Sequence, residues 1–476
     1  VKERVLWVHQ NFVSGRQPGN ARAVGQVAAL VEAGFEVDLV TTSRSYLESV
    51  LDRQEDQEER SRGLTLLRLD LGAARVDPAA RKANYLRFLR RSFAALLRLT
   101  PPTRVFASTP PLPQLVPLLL ASARSGAPLV LEIRDLWPAF LEETGLLRSR
   151  ALVWAMRWLE AVALRYAARC VVVTPGFAEL VKLQGVKPGR IAVLASGCDR
   201  RMAVSEAERL CLGRAWRVKN GIGDGLVALY AGSLNEHYAI DVLIRTAERL
   251  AQRGIRATLV ICGDGRERSK VEAAAARTPT LRYGGALARD AMRTPYAGAD
   301  VALAMLRPLP LFEAIFPGKV FDALAAGVPI VTAIRGHTAA LVEAAGAGWV
   351  VEGCNAEALA HFLAWLSHQP QTILREHGLR GQAFARRYLD AWDLARRLPE
   401  QLARADAAGG WGRLGWAIAL GLGDLVLGRN TAYRRLDSDR RRALLDRAFR
   451  KWMDDTLAAP AQPDRPLSIP DVLRLE

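Results

Sequence analysis

Histidine and cysteine are the scarce reactive residues of this sequence, with six of the first and five of the second in 476 residues. The cysteines, Cys170, Cys198, Cys211, Cys262 and Cys354, stand far apart. They form no CxxC pair and no Cys/His cluster, so neither a disulfide framework nor a structural zinc site is indicated. A reducing cytoplasm fits such thiols. Long apolar runs are also missing. No stretch reaches the roughly 18 residues a transmembrane helix needs. The nearest approaches, 112–120 and 414–427, are too short or are broken by glycine and Asp424. At the N-terminus Lys2, Glu3 and Arg4 precede only VLWV, which is strand length and does not read as a signal peptide.

Acidic residues are in deficit, 49 against 66 lysines and arginines, for a net charge of +17. That balance suits an anionic partner: nucleic acid, anionic lipid or a phosphorylated substrate. Nucleic acid is the weakest of these, because no binding module is recognisable and the arginines are not interleaved with aromatic platforms on strands. The length is enough for two domains with real cores.

What is present is alternation. VLWVH (5–9), VDLVTT (37–42), RVFAST (104–109), PLVLEIRD (128–135), CVVVTP (170–175) and IAVLAS (191–196) read as strands, most of them separated by helical patterns. A linker-like stretch follows at 201–225. The series then restarts with LVALYAG (226–232), ATLVICGDG (257–265), LRYGGA (281–286), VALAML (301–306) and VPIVTA (328–333). Strands alternating with helices predict parallel sheets. The fold class expected is α/β, with two doubly wound Rossmann-like domains, 1–200 and 226–400, facing each other across a cleft. Ligands should bind at the carboxyl ends of the strands. Residues 401–476 break the pattern and read as an extension. Its apolar, glycine-rich stretch 414–427 and charged amphipathic helix 437–455 either attach to a membrane or partner, or pack on the protein itself.

The apolar stretch LFEAIFPGKVFDALAAGVPIV (311–331) is interrupted by Glu313, Lys319 and Asp322. Pro317 and Gly318 mark a helix start and Gly327 its cap. Lys319 therefore lies in the first turn, where free amides and the helix dipole favour an anion such as a diphosphate. Asp322, one turn on, has the reach to accept hydrogen bonds from a ribose diol. Glu313 lies on the preceding loop and faces the same cleft. The plain alternative is a solvated Lys319/Asp322 pair with Glu313 as an ordinary loop residue.

PGKVFDALAAGVPIV resembles the PSKxFEYxAAGxPVV signature of retaining GT-B glycosyltransferases, glycosyltransferase family four. VHQNFVSGRQPGNARAVGQVAALVEAGFEVDLVTT resembles that family's first strand, glycine-rich loop, helix and second strand. ASTPPL (107–112), LVLEIRDLWP (129–138), VVVTPGF (171–177), VLASGCD (193–199), LYAGSL (229–234), VICGDG (260–265) and AGAGWVV (345–351) follow in the family's order. The EIRDLWP form is similar to enzymes that build bacterial surface polysaccharides such as O-antigen, capsule or exopolysaccharide. Asp322 stands where the family has Glu, Gly318 where it has Ser, and Glu313 one position early for the family's acidic pair. The loop after LYAG carries Ser233, Asn235, Glu236 and His237 where a basic diphosphate ligand is common, with His237 as a weak substitute.

The resemblance implies transfer of a sugar from a UDP- or GDP-sugar to an acceptor hydroxyl, with no cofactor or metal required. The leaving diphosphate would help to take the acceptor proton. Lys319 would stabilise that diphosphate, and Glu313 would bind the sugar hydroxyls or steady an oxocarbenium-like centre. Asp322 would hold the ribose. Gly19, Ser233, Gly263, Asp264, Gly265 and Gly318 would line the nucleotide side. Asp135, or else Arg134, would face the acceptor from the first domain. That acceptor would be a glycan or a polyprenyl-diphosphate-linked glycan at the cytoplasmic leaflet. Segment 82–99 supports this placement: Leu86, Leu89, Phe93 and Leu96 share one helical face and Arg87, Arg90, Arg91 and Arg98 lie largely opposite, which suits an anionic membrane surface. The alternative for this segment is a helix packed on its own sheet with solvated arginines. Two other functions stay open: a GT-B nucleotide-sugar 2-epimerase, against which the scarcity of histidine counts, and an idle sugar-nucleotide-binding scaffold.

Overall fold

The computed structural model describes residues 2–10, 12, 21–42, 57–71, 78–147, 149–406 and 408–459. Gly19 lies outside them. Two parallel sheets organise the chain, as the alternation predicts. The first has eight strands, β1 (Arg4–Val8), β2 (Glu36–Thr42), β3 (Gln57–Ser61), β4 (Leu64–Leu69), β5 (Arg104–Thr109), β6 (Leu129–Ile133), β7 (Arg169–Val172) and β8 (Ile191–Val193), in the order β3-β4-β2-β1-β5-β6-β7-β8. Only the edge pair β3/β4 is antiparallel. This hairpin escapes a reading based on apolar runs, since QEERS is a charged strand.

The second sheet has six parallel strands, β9 (Leu226–Ala231), β10 (Ala257–Cys262), β11 (Leu281–Gly285), β12 (Val301–Ala304), β13 (Ile330–Thr332) and β14 (Gly348–Val350), in the order β11-β10-β9-β12-β13-β14. The central strands are apolar on both sides because helices cover both faces. Strand order reverses between β1 and β5 in one sheet and between β9 and β12 in the other. These are the switch points where a crevice opens at the strand ends.

The stretch 201–225 is a structured connection. Ser205 and Glu208 form a reciprocal capping box that starts a run of helical turns. Met202, Trp216 and Ile222 from this connection are buried in the second domain's core.

The chain also returns to the first domain before residue 400. Helices Ala391–Ala395 and Leu398–Ala403 lie against helix Ala21–Glu32, and Leu398 and Leu402 are buried beside Val5, Trp7 and Leu30. Of the two options for the tail, the described part packs on the protein. Helix Trp411–Val426 lies on helix Arg150–Tyr166, with Gly421 seated directly against Val162. This close approach leaves no room for a side chain at Gly421, whereas Gly412, Gly415 and Gly423 meet nothing within 4 Å. Helix Ser438–Ala458 joins the two cores: Leu445 belongs to the first, Phe449 and Met453 to the second. Among the described residues no helix is long and apolar enough to cross a membrane.

Candidate functional site

Helix Gly318–Ala326 begins at Pro317, whose fixed φ suits a helix entrance, and ends at Gly327 with φ of 67°. Lys319 thus occupies the first turn, as its position after Pro-Gly predicts. Its Nζ donates to the Tyr230 hydroxyl at 2.9 Å. It also lies 4.1 Å from the ring centres of both Tyr230 and Tyr238. Tyr230 is the penultimate residue of β9, at the switch point, and its hydroxyl donates to Ser233 O at 2.8 Å. Aromatic faces attract an ammonium, and burial draws the Lys319 pKa down to about 7. The protein holds an under-solvated cation at a helix N-terminus, an arrangement that an anion would complete.

Glycines make room around it. Gly232, with φ of 151°, is where a Cβ would come within 3.1 Å of Lys319 Cε. Gly318 and Ser233 are exposed beside the lysine, and a Cβ at Gly318 would meet nothing within 4 Å. Gly263 and Gly265 serve the wall. A side chain at Gly263 would strike Gly232 O, and one at Gly265 would strike Leu234 O. Asp264 is exposed, and its Oδ1 accepts from Gly265 N at 2.9 Å.

The three charges that interrupt the apolar stretch do not form one cluster. Asp322 accepts from Arg289 Nη2 at 2.9 Å, and Arg289 also reaches Asp199 at 3.4 Å. Burial raises the Asp322 carboxyl above its ordinary value in spite of Arg289. Asp199 is opposed by burial too, but hydrogen bonds from Arg201 and the charges of Arg201 and Arg289 hold it low. Glu313 turns to the tail, where Arg441 Nε approaches its Oε2 at 3.4 Å. Its placement one position early in the motif therefore comes with a different partner.

His237, the weak substitute for a basic diphosphate ligand, lies among aromatic rings. It packs at a tilt on Tyr238 at 4.4 Å and meets Phe140 of the first domain edge-on at 5.3 Å. Burial and the nearby Lys319 lower its pKa to about 4, so it is neutral near pH 7.

On the first-domain side, Arg134 and Asp135 follow β6. Arg134 Nη2 donates to Pro110 O at 2.8 Å, fixing the loop after β5. Asp135 is exposed at the strand end. Protein around its carboxyl still lifts it to about 6 against the pull of Arg134. Beneath them Glu132 is fully buried and satisfied by Arg22 at 2.8 Å, Gln26 at 2.6 Å and Ser108 at 2.7 Å. His9 immediately follows β1 at this sheet's switch point, and burial with Arg134 lowers its pKa to about 3. The loop Leu309–Phe316 closes against this domain: Glu143 accepts from Leu311 N at 3.2 Å, and Thr174 donates to Ala314 O at 2.7 Å.

Tyr230, Tyr238, Arg289 and His9 have no counterpart among the sequence-predicted site residues. His9 alone carries a signal, a histidine closing the first apolar strand. The tyrosines and Arg289 come from loops and strands far from Lys319 in the chain, and no local spacing points to them.

On segment 82–99, helix Pro78–Leu96 buries Phe88, Ser92 and Ala95; of the predicted apolar stripe, Leu89 and Leu96 are half-buried and Leu86 and Phe93 exposed. Leu86, Phe93 and Leu97 are exposed, with Arg87, Arg90 and Arg98 around them. Arg91 donates to Asp70 O and Arg87 to Leu71 O, so these two arginines are partly occupied by backbone.

Comparison with known proteins agrees with this architecture. Residues 19–197 match the glycosyl transferase 4-like domain and residues 225–369 match glycosyl transferases group 1. Among curated proteins, none matches the chain in sequence. Many solved structures share the fold. HepE of Anabaena, in complex with UDP and glucose, is 16% identical, covers 84% of this chain and 99% of its own, and has a TM-score of 0.60. Sucrose-phosphate synthase of Thermosynechococcus elongatus is 16% identical over 90% and 99%, with a TM-score of 0.59. WaaG, a glycosyltransferase involved in lipopolysaccharide biosynthesis, is 17% identical over 84% and 99%, with a TM-score of 0.57. With both domain models matched in order on two α/β domains, the chain belongs to the GT-B glycosyltransferases of the family-four type.

Proposed function

We propose that the protein is a retaining glycosyltransferase that moves a sugar from a UDP- or GDP-sugar to a hydroxyl of a polyprenyl-diphosphate-linked glycan, in polysaccharide assembly at the cytoplasmic, anionic face of a membrane. The observation that carries the donor side is Lys319, an under-solvated ammonium at a helix N-terminus, flanked by exposed glycine and serine backbone at the switch point of the second sheet. Charge develops on the leaving diphosphate as the glycosidic bond breaks. A preorganised cation and amides stabilise that charge more than they stabilise the ground state. The leaving phosphate oxygen takes the acceptor proton, so attack and departure share one face of the sugar.

Asp322 is the ribose ligand in this reading, with Arg289 fixing its carboxylate. Glu313, steadied by Arg441, is assigned to the sugar hydroxyls. Asp135 orients the acceptor hydroxyl, and a pKa near 6 leaves it mostly ionised at neutral pH. The exposed Leu86, Phe93 and Leu97 with their arginines support the membrane placement. The deciding experiment is transfer to a defined lipid-linked acceptor, with the product identified by mass and its anomeric configuration by NMR. An inverted product overturns retention. No product, together with no thermal stabilisation by any nucleoside diphosphate, overturns the whole reading.

Asp322→Asn keeps the shape but removes the charge. We expect nucleoside diphosphate binding to weaken by about 1.5–3 kcal/mol, the range for hydrogen bonds to a charged group. Isothermal titration measures it, and unchanged affinity takes Asp322 out of the ribose site.

The Lys319 pKa sets a pH dependence. In the free protein the ammonium is lost as pH rises through about 7. An anionic donor binds the charged form better, so above that pH binding takes up a proton and affinity falls, by up to about tenfold per pH unit. Titration of a nucleotide sugar in buffers of different ionisation enthalpy reads the proton directly. Flat affinity with no proton uptake between about pH 6 and 8.5 contradicts the assignment.

A further inference from the structure

Helix Trp411–Val426 lies outside both matched domains and presents an unusual surface. Its sixteen residues include two charges, and both face the protein. Arg413 donates to Tyr166 O at 2.8 Å. Asp424, 4% exposed, accepts from Arg165 at 2.6 and 2.7 Å. Leu414, Ala417 and Gly421 form the inner face against helix Arg150–Tyr166. The outer face is apolar throughout: Trp416 is 71% exposed and Val426 80%, with Trp411 and Leu422 also open. Trp154 of the supporting helix adds a third exposed tryptophan. A helix apolar on all sides normally has neighbours on all sides.

We propose that this outer face, with Trp154, seats in the boundary between headgroups and acyl chains of an anionic bilayer. Length fixes the orientation. Sixteen residues span about 24 Å, short of the roughly 30 Å hydrocarbon core, and the Asp424–Arg165 pair ties the helix to the first domain. It must lie in the plane of the surface. Tryptophan is suited to that boundary by its amphipathic ring. Charge selects the partner. The chain carries +17; exposed Arg150 lies one helical turn before Trp154, and Arg429, whose Nη1 pairs with Asp424 at 3.0 Å, remains half-exposed just past the helix end. Anionic lipid complements that charge, whereas a second copy would bring like charges together. The patch also continues a surface. Helix Pro78–Leu96, with exposed Leu86 and Phe93, belongs to the same helical layer over the first sheet, since Phe88, Leu414 and Ala417 share one core. The proposal extends the membrane placement made above but does not depend on the acceptor assigned there.

The test uses the full chain and sedimentation with vesicles of phosphatidylcholine alone or mixed with phosphatidylglycerol. Trp416→Glu with Val426→Glu should lower binding to the anionic vesicles at least tenfold, without change in melting temperature or in oligomeric state. Trp416→Ser with Val426→Ser provides the same reading should the acidic pair disturb folding. Arg87→Gln with Arg90→Gln probes the other helix separately. If that pair abolishes binding and the Trp416/Val426 pairs do not, this inference fails and the earlier placement survives. Loss confined to the Trp416/Val426 pairs supports it and counts against the 82–99 segment. It is also overturned if the wild type ignores anionic vesicles, if the variants convert a dimer to monomer without affecting sedimentation, or if binding emerges only after residues 460–476 are removed.

Discussion

Lys319→Ala should lower kcat on the order of a hundredfold or more, by removing a charge-assisted contact to the leaving diphosphate. It should do so without weakening the fold. The reason is the direction of the Lys319 shift. A lysine whose folded pKa lies near 7 rather than 10.5 is disfavoured in its charged form by folding. Between those values, lowering the pH charges the unfolded chain more readily than the folded one and costs stability. An alanine there removes that penalty along with the function. A lysine kept only for structure would show the opposite pattern, so the informative result is a pair of measurements: kcat down and melting temperature unchanged or higher. Activity near wild type takes Lys319 out of the mechanism. Loss of activity together with a lower melting temperature makes it a packing residue between Tyr230 and Tyr238. Tyr230→Phe refines the test. It removes the hydroxyl that accepts from Lys319 but keeps the ring face, so donor affinity should shift less than in Lys319→Ala.

The Lys319 site shows what was legible in the sequence. The Pro317-Gly318 entrance, the first-turn lysine and the Gly327 cap are local features with local causes, and each is where its spacing predicts. Strand positions were legible for the same reason, because buried parallel strands are short apolar runs. What was not legible depends on distant contacts. Tyr238 and Arg289 reach Lys319 and Asp322 through loops whose paths no periodicity encodes. His237 was a candidate cation from its place in the loop, but its actual environment, three aromatic rings and a neighbouring ammonium, keeps it neutral. On helix Pro78–Leu96 the apolar stripe was visible, but which part faces the sheet was not. Phe88 and Ala95 took the inner face, leaving Leu86 and Phe93 outside. The tail was the largest ambiguity. An apolar, glycine-rich stretch and a charged amphipathic helix read equally well as an attachment device or as a packed layer, and only the partner surface decides.

That partner surface makes the tail the second site of large effect. A chain ending at residue 406 should not fold to the native state. Removal would uncover Val162 and Tyr166 on one side, leave Arg165 without Asp424, and take Leu445, Phe449 and Met453 out of two cores at once. Each of those large apolar side chains contributes about 1.5–3 kcal/mol by burial, against a typical total stability of roughly 5–15 kcal/mol. We expect aggregation on expression, or loss of cooperative thermal unfolding. A folded, active truncation would show that the tail is an appendage after all. Phe449→Ala asks the same question within the full chain. Phe449 packs on Phe316 at 6.5 Å and on His337 at 5.6 Å, and the buried His337 ring lies 3.0 Å from Leu445 O. Phe316 immediately precedes the Pro317-Gly318-Lys319 entrance. A cavity there should cost about 3–5 kcal/mol of stability and loosen the loop that aims the lysine. The expected signature is therefore double: a lower melting temperature, and a fall in kcat that persists at temperatures where the variant is fully folded. If the melting temperature drops and kcat of the folded variant stays at the wild-type level, the tail supports the cores but has no hold on the site.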